Sequence, residues 1–116
     1  VGKLCSFMYH EKSNSTYLRF STNRHKYGDL VLGPTFLFKK AVAERVKMQN
    51  LSRGEDTNFL KDCIKAGFKI YSTDPYNFVY MRKKVEGFHT WDATDDELLK
   101  NAESMGNLPP QDYAFV

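Results

Sequence analysis

The sequence predicts a mixed α/β fold, of α+β character within these 116 residues. Three observations predict it. Two runs rich in aromatic and β-branched residues flank a polar turn. Two further runs carry apolar residues at helical spacing. The composition, 41% hydrophobic with nine Phe and seven Tyr, supplies a core without disulfide or metal staples. The length suits one ordinary domain and argues against a complete nucleotide-using enzyme of large architecture. The chain starts at Val1 without an initiator Met, so the expectation is a piece of a longer protein.

The elements follow in chain order. Residues Leu4 to Tyr9 and Thr16 to Ser21 flank Glu11-Lys12-Ser13-Asn14-Ser15 and read as a hairpin. Leu30-Val31-Leu32 is an apolar run broken by Gly33-Pro34, a turn or strand end. Lys39 to Gln49 reads as a helix. Phe38, Ala41, Val42, Arg45 and Val46 share one face, and the Arg45 stem can lie along apolar surface. A second helix spans Glu55 to Ala66, with Phe59, Leu60, Cys63 and Ile64 as its stripe and Gly67 as a left-handed C-terminal cap. Phe68 to Tyr71 reads as a short strand, Asp74-Pro75 as a turn, and Tyr76 to Arg82 as another strand. Thr94-Asp95-Asp96-Glu97 reads as a capping box before a third helix. That helix carries Leu98, Leu99, Ala102 and Met105 on its apolar face, ends at Gly106, and gives way to a tail from Leu108.

Seventeen basic against fourteen acidic residues give a net charge of +3. The basic residues are scattered, in short knots at 24–26, 39–40 and 82–84. That reads as a solvated surface rather than the stripe of a nucleic-acid module. No apolar run has the roughly 18 residues of a spanning helix. Cys5 and Cys63 have no CxxC spacing and read as two buried thiols. His10 and His25 sit near polar turns and read as surface residues.

Three constellations have chemical content. In Ser52-Arg53-Gly54-Glu55-Asp56-Thr57-Asn58-Phe59-Leu60, a glycine precedes two carboxylates at a helix start, where free N–H groups favour negative charge. A carboxylate fixed there is a suitable general base for a sugar hydroxyl. Equally, Ser52-x-x-Glu55 is a capping box that accounts for Glu55 by structure alone, and accounts less well for Asp56. His89-Thr90-Trp91 offers a metal or phosphate ligand and a flat face for a sugar ring, or else a loop histidine and a core tryptophan. Asp29 to Thr35 offers close backbone approach at Gly33-Pro34, or simply a turn.

In this order and spacing, the pieces resemble the second half of a family 2 glycosyltransferase of the GT-A fold. The residues that carry the resemblance are Leu32-Gly33-Pro34-Thr35 followed by a helix to Arg45, then Gly54 to Leu60, Ala66-Gly67-Phe68-Lys69-Ile70-Tyr71, Tyr80-Met81-Arg82 and His89-Thr90-Trp91. They span roughly 29–91. Residues 1–25 would be a strand hairpin or insertion, 29–91 the family-like core, and 94–116 a C-terminal helix and tail, all within one domain. The resemblance implies a nucleotide-diphospho-sugar transferase fold with a mixed sheet and about three helices.

The implied activity is inverting transfer of a sugar to an acceptor hydroxyl, in bacterial cell-envelope, capsule or spore-surface polysaccharide synthesis. Asp56 would be the base and Glu55 would help hold the acceptor or loop. Gly33, Pro34 and Thr35 would approach substrate, Arg82 would neutralise the leaving diphosphate, Trp91 would line the acceptor side, and His89 would meet a divalent metal, Mg or Mn. The family's metal-binding Asp-x-Asp has no counterpart ahead of Gly33, since Asp92 to Asp96 lies beyond His89. Most metal ligands and the donor half are therefore expected outside these residues, and the piece alone is expected to be inactive. The implied partners are a nucleotide-sugar donor and a glycan or lipid-linked acceptor, not nucleic acid, with self-association through an exposed face. The implied location is cytoplasmic, or peripheral to the membrane or to the cell or spore surface. The alternatives are a non-catalytic carbohydrate- or protein-binding module and a small single-strand nucleic-acid binder.

Overall fold

The computed structural model of the chain describes residues 1–51, 54–83, 99–107 and 114–115. Strands β1 (Ser6–His10) and β2 (Ser15–Arg19) form the expected hairpin, with Phe7 opposite Leu18 and Met8 opposite Tyr17. Asn14 takes the left-handed conformation in its turn, as Asn tolerates better than most residues. Short β3 (Lys26–Gly28) pairs antiparallel with β4 (Ile70–Ser72). Strand β5 (Val79–Arg82) lies parallel to β1, and β6 (Ala102–Ser104) lies antiparallel to β2. The larger sheet is therefore mixed, in the order β5-β1-β2-β6. Two α-helices, α1 (Lys40–Arg45) and α2 (Glu55–Lys65), complete the mixed α/β architecture among the described residues.

Residues 1–4 run between two neighbours. On one side Val1 N donates to Leu37 O, Leu37 N to Val1 O, and Leu32 N to Lys3 O. On the other, Gly2 N donates to Tyr71 O, Thr73 N to Gly2 O, and Leu4 N to Ser72 Oγ. The Lys3 ammonium then ties the segment to the next turn, at 3.1 Å from Asp74 Oδ1 and 2.8 Å from Asp74 O.

The helices follow their apolar periods with informative departures. Phe59, Leu60 and Cys63 of α2 are buried as expected, whereas Ile64 stands exposed on the flank of the stripe. Gly67, at φ +93°, allows the Phe68 N–H to turn back to Cys63 O; such a φ suits glycine because it lacks a Cβ. Helix α1 ends at Arg45 rather than Gln49. Val46 leaves the helix at φ −127° yet stays buried with Val42, Phe59 and Cys63. Lys47, Met48 and Gln49 are exposed, so continuing the helix would bury nothing further. The Arg45 guanidinium lies 4.8 Å over the Phe68 ring and donates to Ala66 O, so its stem covers apolar surface as expected.

Other expectations are corrected. Ala102, expected on a helix face, begins β6. The open edge of β2 offers unpaired backbone groups, and the chain fills it: Phe20 N donates to Asn101 O, Met105 N to Thr16 O, and Thr16 N to Gly106 O. A local helical period loses to edge pairing. Ala114, expected in a tail, is fully buried with Cys5, Phe7 and Leu18, and its carbonyl accepts from Asn77 N. His10 is buried at the end of β1, with Nδ1 at 2.8 Å from Ser13 Oγ, whereas His25 is exposed as expected. The Leu30 to Leu32 run forms no strand, and Gly33–Thr35 is a 3-10 turn with Pro34 near its start. Cys5 and Cys63 are both buried and unpaired, and burial raises both thiols above their ordinary value, which leaves them poor nucleophiles. The start of the third helix and residues 108–113 lie outside the described residues.

Asp74 is a partly exposed acid held by hydrogen bonds rather than by burial. The Tyr76 N–H, at 2.9 Å from Oδ1, holds its carboxyl below the usual carboxylate range, and the Lys3 ammonium adds to this. A depressed carboxyl contributes stability that is present above its unfolded value of about 3.9 and is lost as pH falls through the folded value. Thermal melts between about pH 5 and pH 2 should therefore fall less steeply for Asp74→Asn than for the parent chain. Parallel curves would refute this role.

Candidate functional site

Helix α2 begins at Glu55 with Gly54 as its N-cap, in the left-handed conformation and without a side-chain cap hydrogen bond. A Ser52 capping box would start the helix elsewhere and place Glu55 at its third position. Here Glu55 and Asp56 are the first two helical residues, so that structural account of Glu55 fails. Ser52 itself lies outside the described residues. Both carboxylates are half-buried in the first turn, where free backbone N–H groups and the helix dipole favour negative charge.

The Gly33–Thr35 turn is carried to this helix end by Thr35. Its hydroxyl accepts from Lys3 N at 2.9 Å and donates to Leu32 O at 2.6 Å, closing the turn against the N-terminal segment. Gly33 then packs against the Asp56 carboxylate so closely that a Cβ on Gly33 would lie 1.8 Å from Asp56 Oδ2 and 2.4 Å from Cγ. Two of the three constellations read from the sequence thus meet: the Gly33-Pro34-Thr35 turn and the Glu55-Asp56 helix start. Pro34 is exposed beside them.

An apolar pocket of about 520 Å³ opens beneath, lined among others by Phe36, Val42, Phe59, Leu60, Cys63 and Ile70. Helical spacing puts Asp56 on the same side of α2 as Leu60 and Cys63, so the carboxylate stands one turn above the pocket wall. Lys39 and Lys69 also line it. The volume lies within the range typical of small-molecule sites.

Arg82 stands elsewhere, on the four-stranded sheet. It is 8% exposed and in register with His10, at the end of β1 remote from Lys3. His89 and Trp91 lie outside the described residues. Among the described residues no group of three or more His, Cys, Asp or Glu side chains could hold a metal ion. No helix among the described residues is long and apolar enough to cross a membrane.

One polar surface escaped the sequence reading. The registers put Ser6, Met8 and His10 of β1, Tyr17 and Arg19 of β2, and Tyr80 and Arg82 of β5 on one face of the sheet. Arg19 and Ser6 are buried there. The signal was the two-residue alternation against Phe7, Tyr9 and Leu18, which marks a second, polar face once both strands are aligned. No family model, no curated protein and no solved structure matches the chain.

The Gly33–Asp56 contact has a direct test. The Asp56 carboxylate is the movable end of a side chain, so Gly33→Ala should push it aside and change chain stability by no more than about 1 kcal/mol. A crystal or NMR structure of the variant should show the Asp56 rotamer changed. An unmoved carboxylate, or a melting temperature far below the parent's, would contradict the packing.

Proposed function

We propose that the chain supplies the acceptor side of a glycosyl-transfer site, with Asp56 as the general base. The observation that carries the reading is the contact between Gly33 and the Asp56 carboxylate. It joins two motifs that lie far apart in sequence and that resemble, in the same order, the acceptor half of a family 2 glycosyltransferase of the GT-A fold. A glycine at this position lets a carboxylate and a backbone turn share one space, so that an acceptor hydroxyl can meet both.

In this reading the acceptor O–H gives its proton to an Asp56 carboxylate oxygen as its oxygen attacks the anomeric carbon of a nucleotide-diphospho-sugar. The bond from that carbon to the diphosphate oxygen breaks, and the configuration inverts. Glu55, beside Asp56 in the first turn, holds the acceptor or the loop around it. Pro34 and Thr35 keep the turn in place, Thr35 through its two hydrogen bonds. The donor half and the metal that binds its diphosphate are assigned to residues beyond this chain, with His89 and Arg82 as this chain's contributions toward them and Trp91 lining the acceptor side. The setting is bacterial surface polysaccharide synthesis, with a glycan or lipid-linked acceptor.

The substitution Asp56→Asn keeps the side chain's size and removes its basicity. In the longer glycosyltransferase that this reading requires, it should lower the transfer rate about 10²–10⁴-fold with little change in donor affinity. The 116-residue chain alone should turn over nucleotide sugar weakly or not at all. Transfer at a normal rate by the Asn variant would remove Asp56 from the role of base.

A further inference from the structure

The polar face of the four-stranded sheet carries a feature that the glycosyl-transfer reading does not use. Ser6 and Arg19 are register partners, so their side chains leave the sheet on the same side. Ser6 has no solvent exposure and Arg19 has 6%. The Ser6 hydroxyl and the Arg19 Nε are each buried without a hydrogen-bond partner. The guanidinium carbon lies 5.3 Å from the centroid of the Phe20 ring, a cation–π contact that gives Nε no acceptor.

No carboxylate among the described residues answers this guanidinium. Glu103, on the neighbouring strand β6, is in register with Leu18 and therefore faces the other side of the sheet, where it accepts from Ser21 Oγ. Asp74 is engaged by Lys3 and the Tyr76 N–H, and Glu11 pairs with Lys83. Burial lowers Arg19 from its ordinary value, and Tyr80, on the same face, only partly opposes this. Arg82 and His10 lie further along the same face. Both have interactions of their own, so the unanswered groups on this face are the Ser6 hydroxyl and the Arg19 Nε.

We propose that this end of the face is an anion site, in which the Arg19 guanidinium edge and the Ser6 hydroxyl together bind a phosphate or diphosphate group. A buried guanidinium is costly unless it is paired and hydrogen-bonded, and its planar fork matches two oxygens of a phosphate. A phosphate offers a further oxygen to a hydroxyl donor beside the fork. The inference rests on the sheet and not on Asp56, so it stands or falls separately from the glycosyl-transfer reading.

The test is thermal unfolding of the full 116-residue chain at fixed ionic strength in chloride, with pyrophosphate, inorganic phosphate or methyl phosphate added, and phosphorus NMR as the direct measure of binding. The parent's melting temperature should rise with the logarithm of ligand concentration once the site is saturated. A response to inorganic phosphate identifies a single-phosphate ligand. A response to pyrophosphate alone identifies a diphosphate, and a preference for methyl phosphate identifies a phosphomonoester. Ser6→Ala should fold and bind about tenfold more weakly. Arg19→Met should lose the response and, in chloride, melt no lower than the parent, because an unpaired buried charge is replaced by an apolar side chain of similar length. The proposal is overturned if the parent binds none of the three anions, if Arg19→Met binds as well as the parent, or if Arg19→Met melts well below it in chloride, since that last result would mean the chain itself already pairs the guanidinium.

Discussion

The backbone ladder made by residues 1–4 holds the molecule together. An extended segment bonded on one flank leaves half its peptide groups to water. This one is bonded on both, to the Leu32–Leu37 stretch and to the Tyr71–Thr73 stretch. Each buried N–H or C=O that lost its partner would carry the desolvation cost without return. The ladder also sets positions beyond itself. It continues into β1, the centre of the four-stranded sheet, and its Tyr71 side belongs to β4 of the smaller sheet. Its other side fixes the turn that carries Gly33. The Lys3–Asp74 ion pair adds less to stability than to register, since Asp74 is substantially exposed and such pairs are screened by water.

The Gly33–Asp56 contact follows from that ladder. Thr35 is bound to Lys3 N, which sets the height of the 3-10 turn, and α2 is set independently by Phe59, Leu60 and Cys63 in the core. Phe36 packs against both apolar clusters, one around Val31, Leu60 and Ile70 and the other around Val42, Val46, Phe59 and Cys63. Two rigidly placed elements therefore converge, and the space left between them admits a carboxylate only because residue 33 has no side chain. What the packing fixes is the backbone on either side, while the carboxylate remains the movable end of its side chain.

The sequence was readable where a local rule and the tertiary structure agree. The hairpin is visible in the alternation around residues 11–15, α2 in its stripe and its Gly67 cap, and the arginine stem at Arg45 in its place on an apolar helix face. It was unreadable where a long-range partner decided the outcome. Ala102–Ser104 has the spacing of a helix face, yet the open edge of β2 takes it as a strand. His10 looks like a turn residue, but its place in the β1 register buries it. The Glu55-Asp56 pair was legible as a helix start. Its closeness to Gly33, 23 positions earlier in the chain, was not, because nothing local records which turn a helix end will meet.

The four-stranded sheet shows the same division within single strands. Phe7 and Leu18 point to one side, into a core with Cys5, Ala114, Tyr76 and Val79. Ser6, Met8, Arg19, Tyr17 and Tyr80 point to the other, where Met8 is fully buried among Tyr17, Tyr80 and Leu99. The second face is buried, yet half of its side chains are polar. An apolar core has no need of arginine, and a solvated face would leave Arg19 and Arg82 exposed. Burial of both on one side of one sheet sets this face apart from the Phe7–Leu18 side, and a residue-by-residue reading scatters its members among loops and knots of basic sequence. Only the alignment of β1 with β2 and β5 gathers them, which is why register rather than composition carries the chemistry of this half of the molecule.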